Sequence, residues 1–209
     1  MLTMQNRPAF RLLLCALAAA AALSSCSGAA SKQSAYGAGD PNLAAASPGG
    51  GTIDPFLSNG QAVLRALDAI ESRSGKPLRV TSISADQNNG LTADVQQPSR
   101  HINVDRYVVA PDGTLSGPTP VRLMSLGGGQ ITAADVDRRA FDPRAIAFNR
   151  LTQTVRDAIA KSNYPDARVT EWEFGGIGID DRKYIYFESA RARPVAVVTP
   201  QLTIVRMQY

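Results

Sequence analysis

Three short matches at near-constant spacing constrain this chain more than any other feature. Asp54-Pro55 returns as Asp142-Pro143, Asp68-Ala69-Ile70 as Asp157-Ala158-Ile159, and Arg79-Val80-Thr81 as Arg168-Val169-Thr170, each pair about 89 residues apart. Because the matches fall at a helix start, a helix end and the strand after it, the chain reads as one structural unit written twice.

In the first copy, Ser58-Asn59-Gly60-Gln61 fits a capping box, with a Ser side chain and a Gln three residues later satisfying each other's free amides. Val63, Leu64, Leu67 and Ile70 then recur at helical spacing, and Ser74-Gly75-Lys76-Pro77 supplies the stop. The period afterwards shifts toward two, which predicts strands at Leu78–Ala85, Leu91–Gln97, Ile102–Ala110 and Val121–Met124. Asn88-Asn89-Gly90 and Pro111-Asp112-Gly113 between them have turn chemistry.

In the second copy, Asp142 is placed to cap a helix with Pro143 at its first position, and Phe148, Leu151, Val155, Ala158 and Ile159 form its apolar face. Strands are predicted at Arg168–Phe174, Lys183–Ala190, Pro194–Val198 and Leu202–Met207. The fold class is therefore α+β: two repeated modules, each a helix followed by a small antiparallel sheet of three to four strands. Their expected spans are 52–125 and 142–209, with a connector at 126–141 that holds Gly127-Gly128-Gly129 and a short helix at Ala133–Arg139.

Ahead of the repeats, Arg7 and Arg11 precede an apolar run from Leu12 to Leu23 and then small residues, the pattern of an export signal. A spanning helix needs about 20 apolar residues, and this run is shorter. Its end, Leu23-Ser24-Ser25-Cys26, resembles the lipidation signal of bacterial lipoprotein precursors. The resemblance implies cleavage of the 1–25 leader between Ser25 and Cys26 and acylation of Cys26. Two or more acyl chains anchor stably, each buried CH₂ contributing about 0.8 kcal/mol. Ser27 is not the aspartate that such families associate with inner-membrane retention, so in a two-membrane cell the resemblance implies the periplasmic side of the outer membrane.

Residues 26–51 are mostly Ala, Ser, Gly and Pro, too poor in apolar surface to fold, and read as a tether with a span of about 25 to 30 Å. The two cysteines are Cys15, in the leader, and Cys26, which leaves neither a disulfide nor a cysteine nucleophile for the mature chain. The formal charge of +4 falls by two with Arg7 and Arg11, and the remaining arginines are scattered, which argues against nucleic acid as a partner.

Helix followed by strands, twice, resembles the PepSY-type and β-lactamase-inhibitor-protein-like α/β modules of bacterial envelope proteins. The stretches Asp68–Ala85 and Arg106–Leu115 carry that likeness, and what it implies is binding rather than catalysis. Enzymatic readings are sparse: His101 is the sole histidine, Asp94 and Asp105 could face each other across a hairpin, and no metal or cofactor motif is present. Gly175-Gly176-Ile177-Gly178 lacks the Lys-Ser/Thr of a phosphate loop and reads as a hairpin tip. Glu171, Glu173, Asp180 and Asp181 read as a solvated acidic edge.

Alternation puts Trp172 and Phe174 on one side of their strand, and Tyr184 and Tyr186 on one side of the next. If a single sheet face meets helix, one set is exposed; if the modules pack together, all are buried. The expectation is a noncatalytic envelope lipoprotein, attached to the membrane through lipid on Cys26. It would bind an unidentified envelope protein through Trp172, Tyr184 and Tyr186. An accessory subunit of an envelope or secretion complex is the runner-up, and a periplasmic enzyme the third reading. Cys26→Ser is expected to move the protein to the soluble fraction and to abolish fatty-acid labelling; label retained on the variant would refute the anchor.

Overall fold

The structure is a computed structural model that describes residues 54–123, 130–175 and 183–209. The leader, Ser25 and Cys26, the tether, Gly127-Gly128-Gly129, Gly176-Ile177-Gly178 and Asp180-Asp181 all lie outside the described residues.

Asp54 opens helix α1 (Pro55–Ser58), its carboxylate accepting the Phe56 N–H at 2.8 Å with Pro55 at the first position. Phe56 and Leu57 are both buried, so the chain turns inward for a single turn before restarting as α2 (Gly60–Ser74). Asn59, not Ser58, therefore caps the long helix, accepting from the Gln61 and Ala62 amides at 3.0 and 3.3 Å. Gly60 is required at the restart: a Cβ there would lie 1.6 Å from the Phe148 carbonyl oxygen.

The strands that follow are β1 (Val80–Asp86), β2 (Gly90–Gln97), β3 (Arg100–Val109) and β4 (Leu115–Pro120). The fourth differs from the expected Val121–Met124. The Pro111-Asp112-Gly113 turn closes tightly enough for Leu115 to pair at once with Val109, and an edge position tolerates Pro118 and Pro120. The short helix α3 (Ala133–Arg139) lies where the sequence predicts it, with Thr132 and Asp135 forming its capping box.

Asp142 repeats the local bond of Asp54, accepting the Arg144 N–H at 2.8 Å, yet it opens a 3-10 turn (Pro143–Ala145) rather than the long helix. Burial of Ile146 and Phe148 interrupts the helical path, and α4 (Leu151–Lys161) begins only after a second 3-10 turn. Strands β5 (Arg168–Gly175), β6 (Lys183–Glu188), β7 (Val195–Val198) and β8 (Ile204–Gln208) complete the chain.

All eight strands form one antiparallel sheet in the order β4-β3-β2-β1-β5-β6-β7-β8. Instead of the two small sheets expected, there is one, because β1 pairs with β5 from Ser82↔Gly175 to Asp86↔Glu171. The order of a long helix followed by four strands occurs in each half.

One sheet face and the apolar stripes of α2 and α4 make a single core. Val63, Leu67, Ile70, Leu151 and Ala158 pack with Ile83, Ala85, Leu91, Trp172, Phe174, Ile185 and Phe187. Trp172 is central to it: fully buried, 5.3 Å from the Phe148 ring and 5.5 Å from the Phe174 ring, its Nε1–H donates to the Phe56 carbonyl at 2.8 Å. This corrects its placement in an exposed patch. Trp172→Ala is expected to cost about 3 to 5 kcal/mol in denaturant unfolding, and a loss below about 1 kcal/mol would contradict this role.

Candidate protein-binding face

Strand alternation sends every second residue to the sheet face away from α2 and α4, and register aligns these residues into rungs. One rung runs Asp86, Glu171, Tyr186, Val195, Gln208; the next runs Thr92, Ser84, Glu173, Tyr184, Val197, Arg206. Glu171 thus sits directly across from Tyr186, and Glu173 from Tyr184. The two tyrosine rings are 6.0 Å apart and inclined at 53°. Tyr184, Tyr186, Val195 and Val197 are half-buried.

Of the expected patch, the structure therefore brings Tyr184 and Tyr186 together and places Trp172 on the opposite face, paired with Ile185. Sequence alternation assigned each aromatic pair to its own strand face. It could not relate one strand to the next, because that depends on the register across the connection at 176–182. For the same reason alternation could not set Glu171 and Glu173, read above as part of a solvated acidic edge, across from the tyrosines, nor Val195 and Val197 beyond them.

In the other half of the sheet, α3 covers part of this face. Val136 is buried near Thr81, and Gln96 and Val104, paired across β2 and β3, are buried with it. The Gln96 amide donates to Asp137 Oδ1 at 2.7 Å and to the His101 carbonyl at 2.9 Å. His101 Nδ1 lies 2.9 Å from the same Asp137 oxygen. Arg79 donates to the Asp137 and Ala140 carbonyls, satisfying the end of the helix. The Gln96 hydrogen bond, together with His101 and Arg79, holds the Asp137 carboxyl below its usual range. His101 has a carboxylate partner, but the pair is fastened to a surface helix, with the two side chains 50% and 39% exposed.

Asp94 and Asp105, weighed above as an acid-base pair, point to opposite faces: Asp94 pairs with Arg106, and Asp105 with Val95. Arg106 holds Asp94 in a two-pronged bond at 2.8 and 2.9 Å, while Asp105 accepts from Gln97 at 2.6 Å. Neither arrangement brings two carboxylates to a common reacting atom. On the part of this face that no described helix covers, partial burial, reinforced by Glu173 and Asp86, raises the Glu171 carboxyl above its ordinary value.

No family model matches the chain, and no curated protein matches it. Among solved structures, it is similar to a candidate lipoprotein from Clostridium difficile 630, a crystal structure at 1.85 Å resolution. The likeness has a TM-score of 0.51 and 13% identity, covering 73% of this chain and 93% of that one. At this identity the likeness is one of fold: the mixed α/β architecture described above occurs in that protein too.

A second carboxyl raised by burial is that of Asp54, which is buried and has no partner for Oδ2 among the described residues. Burial pushes its pKa above 3.8, partly opposed by the Phe56 amide. The folded state then holds a proton that the unfolded state has released, so this group's contribution to stability falls as pH rises from 3.8 through the raised value. Asp54→Asn keeps the capping oxygen and removes the buried charge. At neutral pH the variant is expected to unfold at an equal or higher urea midpoint, with a shallower decline in stability across that pH window. A lower midpoint at neutral pH would contradict the buried-charge account.

Proposed function

We propose that this is a lipid-anchored envelope protein, held through acylated Cys26, whose uncovered sheet face binds another protein and catalyses no reaction. The observation that carries this reading is the contrast between the two halves of one sheet. Where α3 packs, the outer face is filled by Val136, Gln96 and Val104. Beyond β5, Tyr184, Tyr186, Val195 and Val197 form an apolar and aromatic strip that no described helix covers. Partly exposed aromatics of this kind are enriched at protein interfaces.

The leader and the Leu23-Ser24-Ser25-Cys26 signal support the anchor, as does a fold shared with a candidate lipoprotein. In a two-membrane cell, Ser27 favours the outer membrane, facing the periplasm. The repeated order of elements, with Asp54 and Asp142 making the same local bond, supports tandem modules over 52–125 and 142–209. The absence of catalysis is supported by the roles that the candidate groups already fill: His101 and Asp137 fasten α3, and Asp94 is occupied by Arg106.

A photoreactive residue at position 186 is expected to trap a discrete adduct in intact cells, whereas the same residue in place of Arg156, exposed on α4, is not. With the probe moved to Val197, Tyr184→Ala/Tyr186→Ala should reduce adduct yield about tenfold, the loss expected for roughly 1.4 kcal/mol. Equal yields from positions 186 and 156, or no effect of the double substitution, would reject this face as the binding surface.

A further inference from the structure

We propose that the partner docks through an extended segment carrying Arg or Lys at alternate positions. Its cationic side chains would cross Tyr184 and Tyr186 and end at Glu173 and Glu171. This rests on the binding role proposed above and specifies its chemistry.

The strip is graded across the sheet. On one rung Asp86 and Glu171 precede Tyr186 and Val195; on the other, Glu173 precedes Tyr184 and Val197. A long cationic side chain has two needs, apolar surface for its stem and negative charge for its head, and each rung offers both in that order. The ring faces add attraction to the cation within about 6 Å. Arg is favoured over Lys, because its planar guanidinium stacks on a ring and can still bond a carboxylate.

Spacing fits as well. Tyr184 and Tyr186 are two residues apart on one strand, so the rungs are separated by about 6.5 to 7 Å, the interval between alternate residues of any extended segment. A segment with cations at i and i+2 matches both rungs at once. Charge selects against the opposite partner, since an acidic segment would meet Asp86, Glu171 and Glu173 together. Burial first, and then repulsion from Glu173 and Asp86, raises the Glu171 carboxyl, and a cation brought beside it would relieve the second of these. Arg206 at the β8 end of the second rung sets the direction of approach, with cationic heads toward β5 and away from β8.

The test uses the full-length chain and two capped synthetic peptides, one alternating Arg and Thr, the other alternating Glu and Thr. Calorimetry should give binding of the Arg-Thr peptide and none of the Glu-Thr peptide. Glu171→Gln/Glu173→Gln and Tyr184→Ala/Tyr186→Ala should each weaken it at least about tenfold. Affinity should also fall as pH drops through the raised range of Glu171, since the bound form requires its ionised carboxylate. Arg-Thr binding that survives both double substitutions is adventitious charge attraction and overturns the proposal, as does equal binding of the two peptides. If neither peptide binds while the probe at position 186 still traps an adduct, the binding role stands and the cationic partner is rejected; if both fail, both readings fall. Self-association in ultracentrifugation that Tyr184→Ala/Tyr186→Ala abolishes would assign the face to a second copy and reject the proposal.

Discussion

The pairing of β1 with β5 is the contact on which the rest of the structure depends. Without it, each half would end in an apolar strand with an unpaired edge, and each long helix would cover half a core. With it, Ile83 stands across from Phe174 and Ala85 from Trp172, so the first strands of the two halves share one interior. Trp172 then ties β5 to α1 through the Phe56 carbonyl, and Gly60 lets α2 approach the turn at Phe148. At Gly175, φ is +76° and a Cβ would lie 2.6 Å from the Phe141 ring, which leaves no room for a side chain where the paired strands end.

A continuous sheet has two faces, and this one treats them unequally. The helices cover one face completely enough to bury Trp172, Phe174, Ile185 and Phe187, whereas among the described elements the helix on the other face is α3, in one half. That helix is held by polar contacts as much as by packing. Gln96, His101 and Arg79 converge on it, and Val136 is its one buried hydrophobic side chain. No described helix covers the strip of Tyr184, Tyr186, Val195 and Val197, so among the described residues the sheet is closed on one side and partly open on the other.

Charge follows the same division. Asp94 on the first half of the outer face is neutralised by a two-pronged Arg106, in a geometry that fixes both side chains. Near the junction of the halves, Asp86, Glu171 and Glu173 stand on adjacent strands, and partial burial, reinforced by the other two carboxylates, raises the Glu171 carboxyl above its ordinary range. Acidic groups beside half-buried tyrosines give this region a chemical preference that an apolar strip alone would lack.

Much of this architecture is legible in local sequence pattern. Helical spacing identified Val63, Leu67 and Ile70 as a buried stripe, the turn residues separated the strands, and Ala133–Arg139 forms the short helix expected there. Such features depend on neighbours within a few residues, where backbone geometry and capping chemistry decide the outcome. Tertiary structure alone decided that two expected sheets are one, that Leu115–Pro120 pairs although it holds Pro118 and Pro120, and that Trp172 lies inside while Tyr184 and Tyr186 face out. Those outcomes turn on which strands meet and in what register. A shift of one residue would exchange the faces of a whole strand, and only contacts between residues distant in the chain fix that choice.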